Sequence, residues 1–388
     1  MYQMLMNQKT AAQRRCLKQI QKASLRKYGR GRRAVVRARI GKLVCVFRPN
    51  AEEQRANTQT KNGASQALSG EQLLKLIRES RLTGQSGSDF PTIRKLESFL
   101  QSKVIKQKGE DCVLVVNGVE CEPGLLHDEW LLSEHFDEIL EGIRQISKAL
   151  SIRQSVLAVK TDIRAVGNRR ERKGKNASLH TLPDGIRVCR VPAGYPMGEE
   201  HILLHQLFGV QLKQEELPTE HGFLVLNVQT VYQIFRLCHE TYEEGRYVTL
   251  ADLDTGEAKV VFAKKGEEIR KTLEENFKNH AGRECFAGIG LLASKPLQEK
   301  ECFQGSTCFA AIGTPASISN EHSCKGCGKC SRKCPMGVQV REIVKRREKD
   351  PGADITGLGA EKCIHCGSCT FFCRAGKNLS ALLGQEKG

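Results

Sequence analysis

The sequence predicts an α/β protein with a mostly parallel sheet, joined to a small β-rich unit and a cysteine-rich C-terminal module. Three observations carry that prediction. Apolar strand-type runs alternate with helix-type segments from Leu68 to about Glu240. A hairpin-and-helix pattern replaces the alternation after Gly245. Two cysteine runs of identical spacing then occupy the last 65 residues.

The elements follow in order. Residues 1–67 form a basic arm and linker: Lys42 to Phe47 reads as a short β-type run, and residues 49–67 are rich in Asn, Gln, Thr, Ala and Gly. Ser69 and Gln72 fit a capping box, with Leu68 and Leu73 as its staple, so a helix is expected to run to about Arg81. A Gly/Ser loop, Thr83 to Asp89, ends in Phe90-Pro91-Thr92 and opens a second helix carrying Lys95. Cys112 to Val116 is a buried-type strand running into Asn117-Gly118. Apolar residues near helical spacing predict one long helix over 129–150, with Trp130 at its start as a core residue. Further strands are expected at Ser155–Val159, Val188–Val191 and Phe223–Leu226, and helices near Gly198 and over Val231–His239. Beyond this α/β region (68–240), residues 241–313 read as a ββα unit with a connector. Its hairpin pairs Tyr247–Leu250 with Lys259–Ala263 around Asp254-Thr255-Gly256, and its helix covers about 267–277. Thr314 to Ser323 reads as a linker at the start of the last module, 314–388.

Composition narrows the function classes. Of 388 residues, 39% are hydrophobic and 27% charged, enough apolar content for real cores. No stretch has the ~18 consecutive apolar residues of a membrane span, and the N-terminal Met1 to Met6 is too short for a signal-peptide core. Seventeen cysteines without a secretory signal point to metal or redox use in a reducing compartment rather than a disulfide framework. The net charge is +17, but residues 1–50 alone carry +14 and the remaining 338 residues only +3. The basicity therefore belongs to one arm, and pI 9.2 is no argument for a DNA-binding body. The arm has only Tyr2, Tyr28 and Phe47 as aromatics and no helix-turn-helix pattern, so an iron–sulfur nucleic-acid-binding protein ranks last among the readings.

Cys324, Cys327, Cys330 and Cys334 are spaced C-x2-C-x2-C-x3-C and followed by Pro335. Cys363, Cys366, Cys369 and Cys373 repeat the spacing, with Arg374 in place of the proline. Zinc sites usually pair two C-x2-C hooks across a longer gap, whereas this is the spacing of two-cluster bacterial ferredoxins. Three thiolates of each run wrap one corner of a cubane, and the fourth comes from the other run. One [4Fe–4S] cluster is thus assigned to Cys324, Cys327, Cys330 and Cys373, the other to Cys363, Cys366, Cys369 and Cys334. The other nine cysteines have no cluster spacing and read as small core residues or free thiols.

Three motifs in the α/β region complete the set: Gly84-x-x-Gly87-x-x-Phe90-Pro91-Thr92-x-x-Lys95, Asn117-Gly118-Val119-Glu120-Cys121-Glu122-Pro123, and Tyr195-Pro196-Met197-Gly198-Glu199-Glu200 with Asn227 to Thr230 later. In this order, with the ββα unit and the two-cluster module behind them, they resemble the RnfC family of the Rnf electron-transport complex. The microcompartment cobalamin reductase and the flavin subunit of complex I share parts of the set. The resemblance, over about 68–385, implies a Rossmann-like flavin-type domain, a β-grasp (SLBB) unit and a 2[4Fe–4S] ferredoxin-type domain. It implies FMN and NADH as cofactors beside the clusters.

Physical reasons accompany each residue. Gly84 and Gly87 let backbone N–H groups approach a phosphate or ring. Lys95 can neutralise the phosphate, and Asn117 stands at a strand end where open α/β sheets place ligands. Glu120 and Glu122 can bond flavin hydroxyls. By similarity, Gly198, Glu199 and Glu200 lie near flavin and nicotinamide, and Asn227 and Thr230 near the FMN phosphate. The sequence departs from the family at Ser86 and Asp89, where glycines are usual, and in lacking its N-terminal barrel-sandwich domain within 1–67.

The expectation is an electron-transfer subunit of an oxidoreductase. It would sit in the cytoplasm or peripherally at the inner membrane face, work with other subunits of a complex, and meet an acidic carrier such as a ferredoxin or flavodoxin. The basic segment Arg164 to Lys175 is a candidate docking patch for that carrier. A flavin-free electron wire serving a dedicated reductase is the alternative that Ser86 and Asp89 motivate.

Overall fold

A computed structural model describes residues 36–40 and 43–47 and, with short gaps, 68–106, 112–160, 179–313 and 324–383. The segment 164–175, the linker 314–323 and the side chains of the arm lie outside the described residues. Val36–Ile40 (β1) and Leu43–Phe47 (β2) form an antiparallel hairpin.

The first helix, Gly70–Glu79 (α1), begins where the capping box requires. Ser69 accepts from the Gln72 backbone, and the Gln72 side chain returns the bond to Ser69. The glycine loop follows, then Thr92–Lys106 (α2). The α/β layer continues through Val113–Gly118 (β3), His127–Glu134 (α3), Phe136–Ala149 (α4), Gln154–Lys160 (β4), Leu179–Thr181 (β5), Arg187–Val191 (β6), Glu200–Phe208 (α5), Phe223–Asn227 (β7) and Val228–Cys238 (α6). The predicted long helix over 129–150 is therefore two helices. His135 has φ −125° and ψ 32°, outside the helical range, and its buried ring turns to the Tyr232 hydroxyl at 3.2 Å. Apolar spacing runs through the break unchanged, so the pattern alone does not reveal it.

Strand order is β5-β6-β4-β3-β7, parallel except for β5 at the edge. The chain starts in β3, steps to β4 and β6 on one side, and returns to β7 on the other. The reversal between β3 and β7 is the topological switch point, where open parallel sheets leave a crevice at the strand C-termini.

The predicted ββα unit is larger than its sequence pattern. Gly245–Asp252 (β8) and Ala258–Lys264 (β9) form the expected hairpin, and Ile269–Asn276 (α7) the helix. Three further strands, Glu284–Gly288 (β10), Lys295–Pro296 (β11) and Phe309–Gly313 (β12), complete a five-stranded sheet ordered β11-β10-β12-β8-β9. Small residues in β10 and β12 hide their alternation. Tyr247, Phe286 and Phe309 of this sheet join the core under α1, α3, α4 and α6, so the two sheets share one apolar interior. Trp130 lies in it, its ring 5.0 Å from that of Tyr247.

The C-terminal module is built from short helices, Lys329–Arg332 (α8), Val340–Arg347 (α9), Ser368–Phe371 (α10) and Leu379–Leu383 (α11). Val338, Val340, Ile343, Val344, Ile355 and Leu379 form its core, with Cys330, Cys334, Cys363, Cys369 and Cys373 packed against them.

Candidate functional site

The switch point brings the sequence motifs together. Asn117 is the penultimate residue of β3 and Asn227 ends β7, and the two are register partners across the reversal. Asn227 caps α6 by accepting from the Gln229 N–H at 2.8 Å, and its amide donates to Asp128 at 2.7 Å. The Asn117 amide donates to the Gly198 carbonyl at 2.8 Å, while its oxygen accepts from the Val119 N–H. The third motif is thereby anchored over the first strand.

The glycine loop packs on the start of α6 at the same switch point. The Gly84 N–H donates to the Phe90 carbonyl at 2.8 Å, closing the base of the loop, and the Gln85 N–H donates to Thr230 Oγ1 at 3.0 Å. Lys95, one turn into α2, pairs with Glu200 at 2.6 Å, both side chains half-buried. Glu199 caps α5 by accepting from the Ile202 N–H and also meets His201 Nδ1 at 3.0 Å. Burial opposes the charge on His201, but Glu199 outweighs it and holds the imidazole above its ordinary pKa.

The other face of the loop rests on the second sheet. Gly87, at φ +95°, sits so close to Ile289 and Cys308 that a Cβ would meet them at 2.6 and 3.0 Å. Asp89, also in the left-handed region, turns its carboxylate onto Gly305, where even a methyl would collide. The Arg246 guanidinium joins the two units by donating to the Gln85 and Gly305 carbonyls. Asp89 is thus a contact between the glycine loop and the segment that precedes β12. Glu122 likewise lies over Gly290.

Glu120 is buried, and its carboxylate accepts from the Asp128 and Glu129 N–H groups at the start of α3. Asp128 and His127 lie beside it, with His127 Nε2 3.7 Å from Glu120 and 3.9 Å from Asp128. Burial pushes both carboxyls far above their usual range; the neighbouring Asp128 charge adds to the rise at Glu120. Burial and Arg246 hold His127 down at about 3, so the imidazole is neutral. Glu129 balances Lys160 at 3.0 Å. Arg246, Asp128 and Tyr195 make contacts that sequence reasoning did not assign to them. Tyr195 belongs to the third motif, whereas nothing local marks Arg246 or Asp128.

The residues present suit a phosphate-bearing polar cofactor. Two side-chain oxygens of the glycine loop region, Gln85 Oε1 and Thr92 Oγ1, are buried with no hydrogen-bond partner. Gln85 bonds Thr230 at the N-terminus of α6, and Thr92 opens the helix that carries Lys95, so both oxygens belong to segments that carry motif residues.

The two cysteine runs differ at one cysteine each, Cys369 being buried and Cys324 exposed while the other six are half-buried. Cys369 is buried between Ser368 and Thr370, and burial pushes its thiol to about 12 and that of Cys366 to about 11. Tyr195 donates its hydroxyl to the Cys366 carbonyl and packs edge-on against Phe371 at 5.4 Å. In the first run Cys324 is exposed, and the Lys329 N–H, with Arg374 and Arg332, draws the Cys327 thiol down. Cys373 acts electrostatically on Cys330, and Cys334 on Cys363 and Cys366, so each run's fourth cysteine lies near the other run.

Comparison with known proteins agrees with this geometry. The family profile described as the Nuo51 FMN-binding domain matches residues 77–236, and that described as a 4Fe-4S dicluster domain matches 323–377. The RnfC-type component of an ion-translocating oxidoreductase complex from Vibrio cholerae is 26% identical over 311 residues. The chain resembles the RnfC components of ion-translocating oxidoreductase complexes. The match takes in 78% of this chain but only 38% of the Vibrio protein, so the chain spans about two fifths of that relative's length. The corresponding component of a Na(+)-translocating ferredoxin:NAD(+) oxidoreductase complex from Acetobacterium woodii is 25% identical, over 74% of this chain and 63% of its own. A cobalamin reductase from Salmonella typhimurium is 28% identical over 48% and 37% of the two chains. Among solved structures, an NAD+-reducing [NiFe]-hydrogenase matches with TM-score 0.55 at 14% identity, over 90% of this chain and 65% of that one, a likeness of fold. Among the described residues no helix is long and apolar enough to cross a membrane.

Proposed function

We propose that this chain is an iron–sulfur electron-transfer unit of a multi-subunit oxidoreductase, joining a flavin site to two [4Fe–4S] clusters. The observation that carries it is the six-residue segment Tyr195–Glu200, which leads into α5. Its Gly198 carbonyl receives the Asn117 amide, its Glu200 pairs with Lys95, and its Tyr195 reaches the backbone of Cys366. One short segment thus touches both the switch-point crevice and the buried cysteine run.

In this reading Lys95 and the N-terminus of α6, capped by Asn227, receive the phosphate, with Thr230 beside them. Asn117, Gln85 and Thr92 supply polar contacts, and Glu120 stiffens the start of α3 beneath the site. A bound FMN would supply the conversion of hydride chemistry, from a donor of NADH type, into single electrons. Asp89 turns its carboxylate onto Gly305. Cys363, Cys366, Cys369 and Cys334 hold the inner cluster, and Cys324, Cys327, Cys330 and Cys373 the outer one.

One observation favours the flavin-free alternative: Lys95 already has its partner in Glu200, which a phosphate would have to displace. Reconstitution with iron and sulfide, then excess FMN and desalting, separates the two. Acid-released flavin fluorescence near one equivalent per chain supports the first reading. Less than about a tenth, with ~8 irons in place, leaves the electron wire.

A further inference from the structure

We infer that the exposed end of the C-terminal module, around Cys324 and Cys327, is the docking face for an acidic one-electron carrier protein. The inference rests on the reading of the module as the electron outlet and deepens it by placing the partner. The expected patch at Arg164 to Lys175 lies outside the described residues; the cations gathered here are a different set.

Residues 324–388 carry 13 Lys and Arg against 6 Asp and Glu, while the preceding 273 residues, 51–323, carry a net charge of −4. The excess gathers at one end. Arg332 and Arg341 lie over Gly328 and Gly326, close enough that a Cβ there would meet their guanidinium groups at 3.0 and 3.4 Å. Arg332 is fixed by donating to the Cys327 carbonyl at 2.7 Å. Arg374 follows Cys373, taking the place of the proline in the first run, and acts electrostatically on Cys327. Arg332, Arg341 and Arg374 are all exposed, as are Cys324 and Lys325. Among the described residues no carboxylate lies within 4.0 Å of Lys325, Arg332, Arg341 or Arg374. Elsewhere in the module Arg346 pairs with Glu342 at 3.1 Å and Lys377 with Glu348 at 2.6 Å.

Unpaired cations around the thinly covered cysteine run suit a carrier whose own redox centre sits under carboxylates. Complementary charge steers the encounter and sets its orientation, and a small, transient interface suffices. One electron crosses: what this chain loses the carrier's centre gains, with no atom or proton exchanged. A protein carrier is favoured over an anionic bilayer because the cations ring a cysteine run rather than an apolar, insertable face.

The test uses the full chain with both clusters reconstituted and a purified acidic bacterial ferredoxin as probe, both oxidised, with affinity measured at several salt concentrations. Arg341→Gln/Arg374→Gln is expected to weaken binding by at least ~10-fold at low salt and to make its salt dependence shallower. Iron content and reduction by dithionite should be unchanged. Adding Arg332→Gln should weaken binding further, with iron content again the check on folding. Affinity within twofold of the parent would overturn the inference. So would an equal loss in binding anionic vesicles or duplex DNA, which would mark the patch as unselective. No donor or flavin is present in the binding measurement, so failure of FMN retention would defeat the flavin reading and leave this result standing.

Discussion

The two cysteine runs share a spacing and differ in what surrounds them. The run from Cys363 to Cys373 is packed behind Tyr195 and Phe371, with Cys369 buried. The run from Cys324 to Cys334 opens at an exposed cysteine beside arginines that have no carboxylate within 4.0 Å among the described residues. Burial in a low-dielectric setting disfavours added charge, whereas nearby cations favour it. The duplicated motif therefore yields two unlike environments, one facing the switch-point crevice and one facing solvent. The relay proposed above would then have an inner and an outer end.

The largest effect expected concerns the crossed ligands. Cys334→Ser should remove the inner cluster and Cys373→Ser the outer one, each taking about half of the ~8 irons. Iron analysis with electron paramagnetic resonance of the survivor would check this. If Cys373→Ser removed the cluster of its own run, the crossed assignment would fall.

Next is the crevice. Lys95→Ala deletes the cation opposite Glu200, and a charge-assisted contact is worth ~1.5–3 kcal/mol, so FMN affinity should fall at least ~10-fold with iron unchanged. Fluorescence titration of the reconstituted chain reads it.

The buried carboxyls predict a pH dependence. The Glu120 carboxyl lies above its unfolded value, so between about pH 4.5 and 8 the folded chain holds more protons than the unfolded one. Its contribution is present below the unfolded pKa and is lost as pH rises through the folded one. Glu120→Gln should make the decline in stability between pH 5 and 8 shallower, by at most ~1.4 kcal/mol per pH unit. Denaturant midpoints at several pH values test it, and an unchanged slope would argue against a protonated Glu120.

The smallest effect is at the joint between the regions. Tyr195→Phe removes one hydrogen bond to the Cys366 carbonyl, worth ~0.5–1.5 kcal/mol, and keeps the ring on Phe371. A modest shift in the inner cluster's potential, with the outer one unmoved, is the expected signature in a redox titration.

Much of this was legible in the residues. Uninterrupted apolar runs mark β3, β4 and β7 because parallel strands are buried on both faces. The capping box marks the start of α1, and the motif segments do contact one another: Asn117 lies opposite Asn227, Lys95 pairs with Glu200, and Gln85 bonds Thr230. What stayed hidden depends on contacts distant in sequence. Arg246 meets Gln85 across 161 positions, and Asp128 meets Asn227 across 99, with no local pattern to announce either. β10 and β12 are built of small residues without alternation, and the break at His135 is held by a tertiary bond to Tyr232.

The central claim is that the crevice feeds the buried run first. Flash photoreduction of bound FMN in Cys373→Ser and Cys334→Ser tests it most directly. The account predicts that Cys373→Ser, keeping the inner cluster, still shows fast cluster bleaching, whereas Cys334→Ser shows slow bleaching or none. Fast transfer in Cys334→Ser with loss in Cys373→Ser would contradict it.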